Sequence, residues 1–430
     1  MSLNALFVGS SGLTTNSSAL DLIGNNLANI NTSGYKDQRM VFRDVVYQTL
    51  SSGTSASAGT GGVNPAQIGF GVGVGSIGTQ FTQGNLNPTG RSLDAGIQGR
   101  GFFVMRNVED VAYTRAGAFG VDSAGYLVDP GTGYRVQRFG PVGEGGASNA
   151  GDPQFQVPGN LDIQIPYGTG AAGVVTSTID YQGNLSSAMQ VNEVATTAIQ
   201  VYDAQSTARA VTVTFTKTAA NTYSPSVLVS GADPTKVTLT GGPISFNSTG
   251  QLVGTANTPV TLTLTLAANA LPGINTAQTI TLNLGTAGLT NGLTQFGGAT
   301  TVSAVNQNGS GFGTLTDVSI DADGIIQGKF TNGRTINLAQ LAIAGFNNED
   351  GLLRSGSNYF RSSVASGEAL IGLAGQGGRG SLQGGSLESS NVDIAVEFSR
   401  LIVAQRGFQV NARTISTTND TLQELANIIR

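Results

Sequence analysis

Apolar residues recur every seven positions at both ends of this chain and alternate with polar ones through its long middle. Leu6, Leu13, Leu20 and Leu27 stand seven apart near the N-terminus. Near the C-terminus Ile394, Phe398, Leu401, Gln405, Phe408, Ala412, Ile415, Asn419 and Leu422 follow in steps of four and three, with Ile429 one heptad further on. A repeat of about 3.5 residues buries its seam only against another helix. It predicts one helix from about Ser2 to Ile30, closed by the breaker cluster Asn31 to Gly34, and a second from near Ser390, where Ser390 and Asp393 have capping-box spacing. Gln405 and Asn419, polar within the seam, are expected to fix register at some cost in stability. Beside the seam, Leu22, Ile23, Ile30, Ile402, Val403 and Val410 form a second apolar stripe that two helices alone would leave wet. The terminal helices are therefore expected to join subunits, against the simpler reading of an intramolecular hairpin.

Between them the period changes from seven to two. Tyr35–Leu50 reads as a short helix or an extended connector, and the Ser/Gly/Thr/Ala-rich stretch Ser51–Gly62 as a flexible linker. Short strands with turns every 8 to 12 residues follow from Asn64 to Arg138, which indicates an all-β unit. Pro141–Asp152 reads as a boundary. Beyond it a second β-rich unit has strand candidates at Ala198–Tyr202, Ala210–Thr216, Val260–Leu266 and Thr279–Leu284. Strands resume at Leu315, and Asn332-Gly333 signals a hairpin of type I′, whose two central residues need positive φ. Gly367–Gly385 reads as a second connector. The expected fold is multidomain α+β and mostly β, with terminal α-helices forming a coiled-coil domain and β-rich domains nested between them. Residues 1–30 with 390–430 form the helical domain, 31–63 with 367–389 a linker region, 64–145 with 316–366 an inner β domain, and 146–315 an outer β domain.

Composition narrows the function. Charged residues are 11% of the 430, against about 25% in an average soluble domain, so the surface is polar and uncharged. Basic residues form no cluster, which argues against nucleic acid as a partner. Without histidine there is no Ser-His-Asp triad, imidazole acid/base or His-bound zinc, and without cysteine no disulfide or thiolate metal site. Residues 1–35 hold no Lys or Arg and no apolar run approaches about 20 residues, so neither a Sec-type signal nor a membrane span is expected.

Candidate sites reduce to turns. Asp321-Ala322-Asp323-Gly324 has the start of a calcium loop, but Asn332 stands where the twelfth-position Glu belongs. Val121–Gly125 is a turn of the same kind. The glycine strings Gly69–Gly75 and Gly375–Gly380 lack the strand and helix context of a phosphate cradle. Glu349-Asp350 could supply carboxylates for glycoside hydrolysis, yet nothing sets two acids across a cleft. No catalytic residue, metal site or cofactor is expected.

The motifs do carry a resemblance. Asn25-Asn26-Leu27-Ala28-Asn29-Ile30-Asn31-Thr32-Ser33-Gly34-Tyr35-Lys36 resembles the N-terminal motif of bacterial flagellar rod and hook proteins. Leu387–Asp393, with Ser389, Asn391 and Val392, and Ala404–Ala412, with Arg406, are similar to their C-terminal motif. Gly99–Val104 and Tyr113–Phe119 resemble the core of their shared β domain. The motifs cover roughly the first 140 and last 115 residues. Within the family the long insertion and the stretch Ile343–Leu352 are most similar to hook proteins. The resemblance implies a homopolymeric curved tube that acts as a universal joint passing motor torque to the filament, with the terminal helices lining its inner wall. It implies export by the flagellar type III apparatus without a cleaved signal, a place outside the cell, and rod, hook-cap and hook–filament junction proteins as partners. A distal rod or junction protein is the alternative within the family. Outside it stands a secreted β-rich adhesin or polysaccharide-binding protein trimerised by its terminal helices.

Overall fold

The computed structural model describes residues 3–108, 110–144 and 154–428. Helix α1 (Leu3–Ala28) and helix α2 (Ile394–Ile428) bracket a chain that, among the described residues, is strand and turn apart from two single-turn 3-10 helices, Pro234–Lys236 and Glu349–Gly351. α2 starts later than the capping-box spacing suggests, because Asp393 itself is the cap: its Oδ1 accepts from the amides of Ala395 at 2.8 Å and Val396 at 3.1 Å. The helices lie antiparallel, since Asn26 meets Glu397 at one end and Gly9 lies beside Ile415 at the other. Glycines let them approach closely. A Cβ on Gly12 would come within 2.7 Å of the Asn411 side chain, and one on Gly407 within 2.6 Å of Asn16 Oδ1.

The connectors of the sequence reading are ordered strands. β1 (Gln38–Asp44), β2 (Tyr47–Ser51), β3 (Ala66–Gly69) and β4 (Val72–Thr79) form a long two-stranded ribbon, with β1 on β4 and β2 on β3. The expected linker at 51–62 is the tip of this ribbon, where Thr54 bridges Val63. The ribbon runs back along α1: Ser11 Oγ accepts from Val72 N at 3.3 Å, and Met40 packs on the helix pair. Residues 64–79 therefore lie with the helices rather than in an inner β domain. The expected linker at 367–389 likewise supplies strands, with Ser381–Gly384 on Ala95–Gln98 and Ser386–Glu388 on Leu86–Pro88. Low complexity had suggested flexibility there; cross-chain hydrogen bonding supplies the order instead.

Two β cores follow. The first joins a nine-stranded sheet to a four-stranded one around Phe103, Phe119, Ile326, Leu338 and Ile343. Phe155, Ile163, Ile165 and Ala171 pack into it, so the chain leaves this core after Ala171 instead of near 145. The 145/146 boundary itself lies outside the described residues. The second core sits between a four-stranded and a six-stranded sheet. Alternation fills it: Val211, Val213 and Phe215 from one strand face Leu262, Leu264, Leu266, Ile280, Leu282 and Leu284, all buried. At Asn332-Gly333 only Gly333 has positive φ (79°), and Phe330 N donates to Arg334 O, so the loop has three residues ending in a left-handed glycine and is not type I′. Asp321 Oδ1 caps its own turn, accepting from Asp323 N and Ile325 N.

Candidate functional site at the junction of the chain ends

Where α1 leaves the helix pair and α2 enters it, the two ends of the sequence are tied to the first β core by buried polar side chains. The tie begins with Asn26, fully buried in the last turns of α1. Its Oδ1 accepts from Tyr35 Oη at 3.1 Å and Gln38 N at 3.0 Å, and its Nδ2 donates to Gln38 O and to Glu397 Oε2 of α2. One amide thus fixes α1, the following turn and α2 together. Gly34 closes that turn with φ of 71°, and a Cβ there would lie 2.7 Å from Ala116 N, so only glycine fits.

Next come three buried charges. Lys36 Nζ meets Glu388 Oε1 at 2.6 Å, and Arg115 Nη1 meets Glu388 Oε2 at 3.3 Å, with all three side chains almost wholly excluded from water. Glu388 Oε1 also accepts from Gly84 N at 2.9 Å, and the Glu388 carbonyl accepts from Gly34 N at 2.7 Å. Burial pushes the Lys36 ammonium below the usual lysine range; Glu388 opposes this and Arg115 adds to it. Two cations thus share one carboxylate, and Arg115 stacks over Phe102 at 5.3 Å. A second arginine closes the outer side: Arg354 donates to the Lys36 carbonyl and lies over the rings of Tyr35 (4.9 Å) and Phe360 (5.5 Å). Asn391 completes the tie. Its Nδ2 donates to Gln80 O and Asp37 Oδ1, and its Oδ1 accepts from Asp37 N at 2.7 Å.

Apart from Arg115 Nε, which has no hydrogen-bond partner, these groups pair with one another, and their chemistry is that of a clasp between chain ends. Among the described residues no group of His, Cys, Asp and Glu could hold a metal ion. Of the motif residues, Asn26, Gly34, Tyr35, Lys36 and Val392 are buried here. Asn25 donates to Tyr35 Oη, Thr32 to Asn29 Oδ1, and Ser389 Oγ accepts from Asn87. Arg406 stands apart, exposed on α2. Sequence reasoning quoted the stretches holding Arg115 and Glu388 without singling either out. A lone Lys, Arg and Glu in apolar-flanked motifs, within a chain so poor in charge, was the available signal. Arg354 and Glu397 left none.

The heptad residues divide. Leu6, Leu13, Leu20 and Leu27 are half-buried flanks of α1, while Gly9, Gly12, Thr15, Ala19, Ile23 and Asn26 form its buried line. On α2, Leu401, Phe408, Ala412, Ile415 and Leu422 are half-buried; Ile394, Phe398, Gln405 and Asn419 are exposed. Gln405 and Asn419 thus do not lie in the α1–α2 seam, where Asn16, Asn411, Asn26 and Glu397 meet instead. The 3.5-residue pattern has two possible faces on one helix, and the glycine-lined one won because it lets the backbones approach. Ile429 lies outside the described residues. Of the second stripe, Ile23 is buried, whereas Ile402, Val403 and Val410 are 55%, 71% and 65% exposed.

The chain is similar to known proteins along its whole length. Residues 6–36 match the family described as flagella basal body rod protein, and 383–428 the flagellar basal body rod FlgEFG protein C-terminal region. Residues 96–187 match the flagellar hook protein FlgE/F/G D1 domain, and 170–310 the flagellar basal body protein FlaE D2 domain. The chain is 36% identical to the flagellar hook protein FlgE of Treponema pallidum, covering all of both chains. It is 34% identical to that of Borreliella burgdorferi over 99% of each, and 34% identical to that of Escherichia coli over 97% of this chain and 98% of the other. Similar to these hook proteins along nearly its whole length, and matched by the family models at both ends and through much of its middle, the chain belongs to the flagellar hook protein FlgE family.

Proposed function

We propose that copies of this chain assemble into a hollow helical tube, the hook, with α1 and α2 of every copy in the inner wall and the β cores outward. The tube serves as a curved universal joint that carries torque from motor to filament. One observation carries this reading: Phe7, Phe398, Ile402, Val403 and Val410 on the helix pair are 49% to 71% exposed, a wet apolar surface that further copies would cover. The ribbon adds Val41, Phe42, Tyr47 and Leu50, also exposed. The clasp suits a torque-bearing part, because it ties both ends of every subunit to its first β core. Rod, cap and junction proteins of the flagellum are the heterologous partners, and the type III apparatus exports the chain, which without cysteine needs no oxidative folding outside the cell. The role is structural, not catalytic.

Electron microscopy of the purified protein under polymerising conditions tests this. Curved tubes are expected. Straight tubes would favour the rod alternative, and discrete trimers would replace the tube by the adhesin.

A further inference from the structure

The helix pair is electrically lopsided along its length. On α2 the bases Arg400, Arg406 and Arg413 outnumber the acid Glu397 in the first two thirds, with Asp21 of α1 level with that part, and the acids Asp420 and Glu424 occupy the last turns. Continuing the register set by Asn26 with Glu397 and Gly9 with Ile415 puts Asp420 level with the start of α1, so the final turns of α2 extend past it. Nothing in α1 lies alongside Glu424. The sequence of these turns mixes aliphatic residues with the two acids, which stand four apart and so share a face.

At the other end of the pair α1, α2 and β1 enclose an open groove of about 430 Å³. Leu22, Ile23, Met40, Phe42 and Val403 line it, and the charged residues Arg39, Arg400 and Glu397 stand among them. Arg39 is exposed and has no ion-pair partner among the described residues; Arg400 shares its guanidinium with Glu397. An apolar floor flanked by two guanidinium groups, one of them shared with Glu397, is the complement of a helix end bearing two exposed carboxylates.

We infer that the last turns of α2 of one copy seat in this groove of the next copy, with Asp420 and Glu424 facing Arg39 and Arg400. The inference rests on the tube reading and names the contact that stacks its subunits head to tail. Groove and overhang lie about 20 residues apart along the pair, so neighbouring copies are offset by about 30 Å along the helix axis at 1.5 Å per residue. The contact also sets the polarity of the tube: every copy presents its acidic tip to the groove of the next, never tip to tip.

The test is the critical concentration for polymerisation, read by sedimentation at low salt, for wild type, Arg39→Glu, Asp420→Lys/Glu424→Lys, and the three changes combined. Asp420→Lys/Glu424→Lys, which reverses two partly exposed ion pairs, is expected to raise it about tenfold and Arg39→Glu, which reverses one, about threefold; the combination restores the pair at residue 39 and is expected to recover about threefold of the double reversal's loss. Salt near 0.5 M should erase the differences, because screening acts over a few ångströms there. Equal critical concentrations for wild type and Arg39→Glu, or a combination no better than Asp420→Lys/Glu424→Lys, would overturn the contact while leaving the tube intact. A wild type that never polymerises would remove the tube reading and this contact with it.

Discussion

Replacing Glu388 by Gln isolates the clasp, because shape is kept while the only carboxylate shared by Lys36 and Arg115 is lost. The Gln oxygen can still accept from Lys36 and Gly84, but its amide nitrogen then faces the Arg115 guanidinium donor to donor. Arg115 Nε already lacks a hydrogen-bond partner, so the side chain has no second acceptor to turn to. Removing one partner of a buried ion pair typically costs about 3–5 kcal/mol, since the charges left behind cannot reach water. With a urea slope of about 2–3 kcal/mol/M, the unfolding midpoint of the first β core should fall by about 1.5 M. The deficit should also depend on pH. Lys36, already lowered by burial, loses the carboxylate that opposed the lowering, so its folded pKa falls further below the unfolded 10.5. The unfolded chain then binds the extra proton, so the deficit is full near neutrality and narrows as pH rises towards 10. Urea titration followed by circular dichroism measures the first effect, and hydrogen exchange at the Gly84 amide reports the clasp locally. A Lys36→Met/Glu388→Leu/Arg115→Met variant should lose less than E388Q, because it removes the charges together and takes a hydrogen-bond partner only from the Gly84 amide and the Thr82 carbonyl. An E388Q protein within about 1 kcal/mol of wild type, with Gly84 still protected, would refute the reasoning.

Other consequences follow from single contacts. Gly84→Ala places a Cβ 2.1 Å from the Ser389 carbonyl oxygen, so backbone must move, and a loss of about 3 kcal/mol in thermal unfolding of the first core is expected. Phe215→Ala should cost about 3–5 kcal/mol in the second core alone, leaving the exchange protection of the clasp and the polymerisation yield unchanged. Burial holds the Tyr181 and Tyr359 phenols well above their ordinary 10.0, so the unfolded chain ionises first and stability, intact below pH 10, falls as pH rises past it. Tyr181 Oη has no hydrogen-bond partner, so Tyr181→Phe should flatten that alkaline slope in a pH series of melting curves without loss at pH 7.

Much of the architecture was legible because it rests on periodicity. The two helices and the alternating strands of the second core follow directly from where Leu, Val and Thr stand. The ribbon was not legible, since Ser51–Gly62 has linker composition and its order comes from pairing with residues that the chain reaches only after turning back. Strands such as Ser381–Gly384 escaped for the same reason, their partners lying almost 300 residues away in Ala95–Gln98. The clasp was half legible. Motif resemblance marked Asn26, Lys36 and Asn391, but the convergence of Arg115, Glu388 and Arg354 on them is a property of the fold, which no local pattern encodes. Gln405 and Asn419 show the limit of heptad reasoning, because small residues at Gly9, Gly12 and Gly407 turned the seam to another face.

The central claim is that the exposed apolar face of α1 and α2 is buried between copies. The chain has no cysteine, so single thiols can be placed at will. Val403→Cys on the helix pair and Leu228→Cys on the second core are 71% and 61% exposed positions in the single chain. Maleimide labelling before and after polymerisation compares them directly. The account predicts that the thiol at 403 loses its reactivity at least tenfold in the polymer while the one at 228 keeps it. Continued labelling at 403 in fully assembled protein would contradict it.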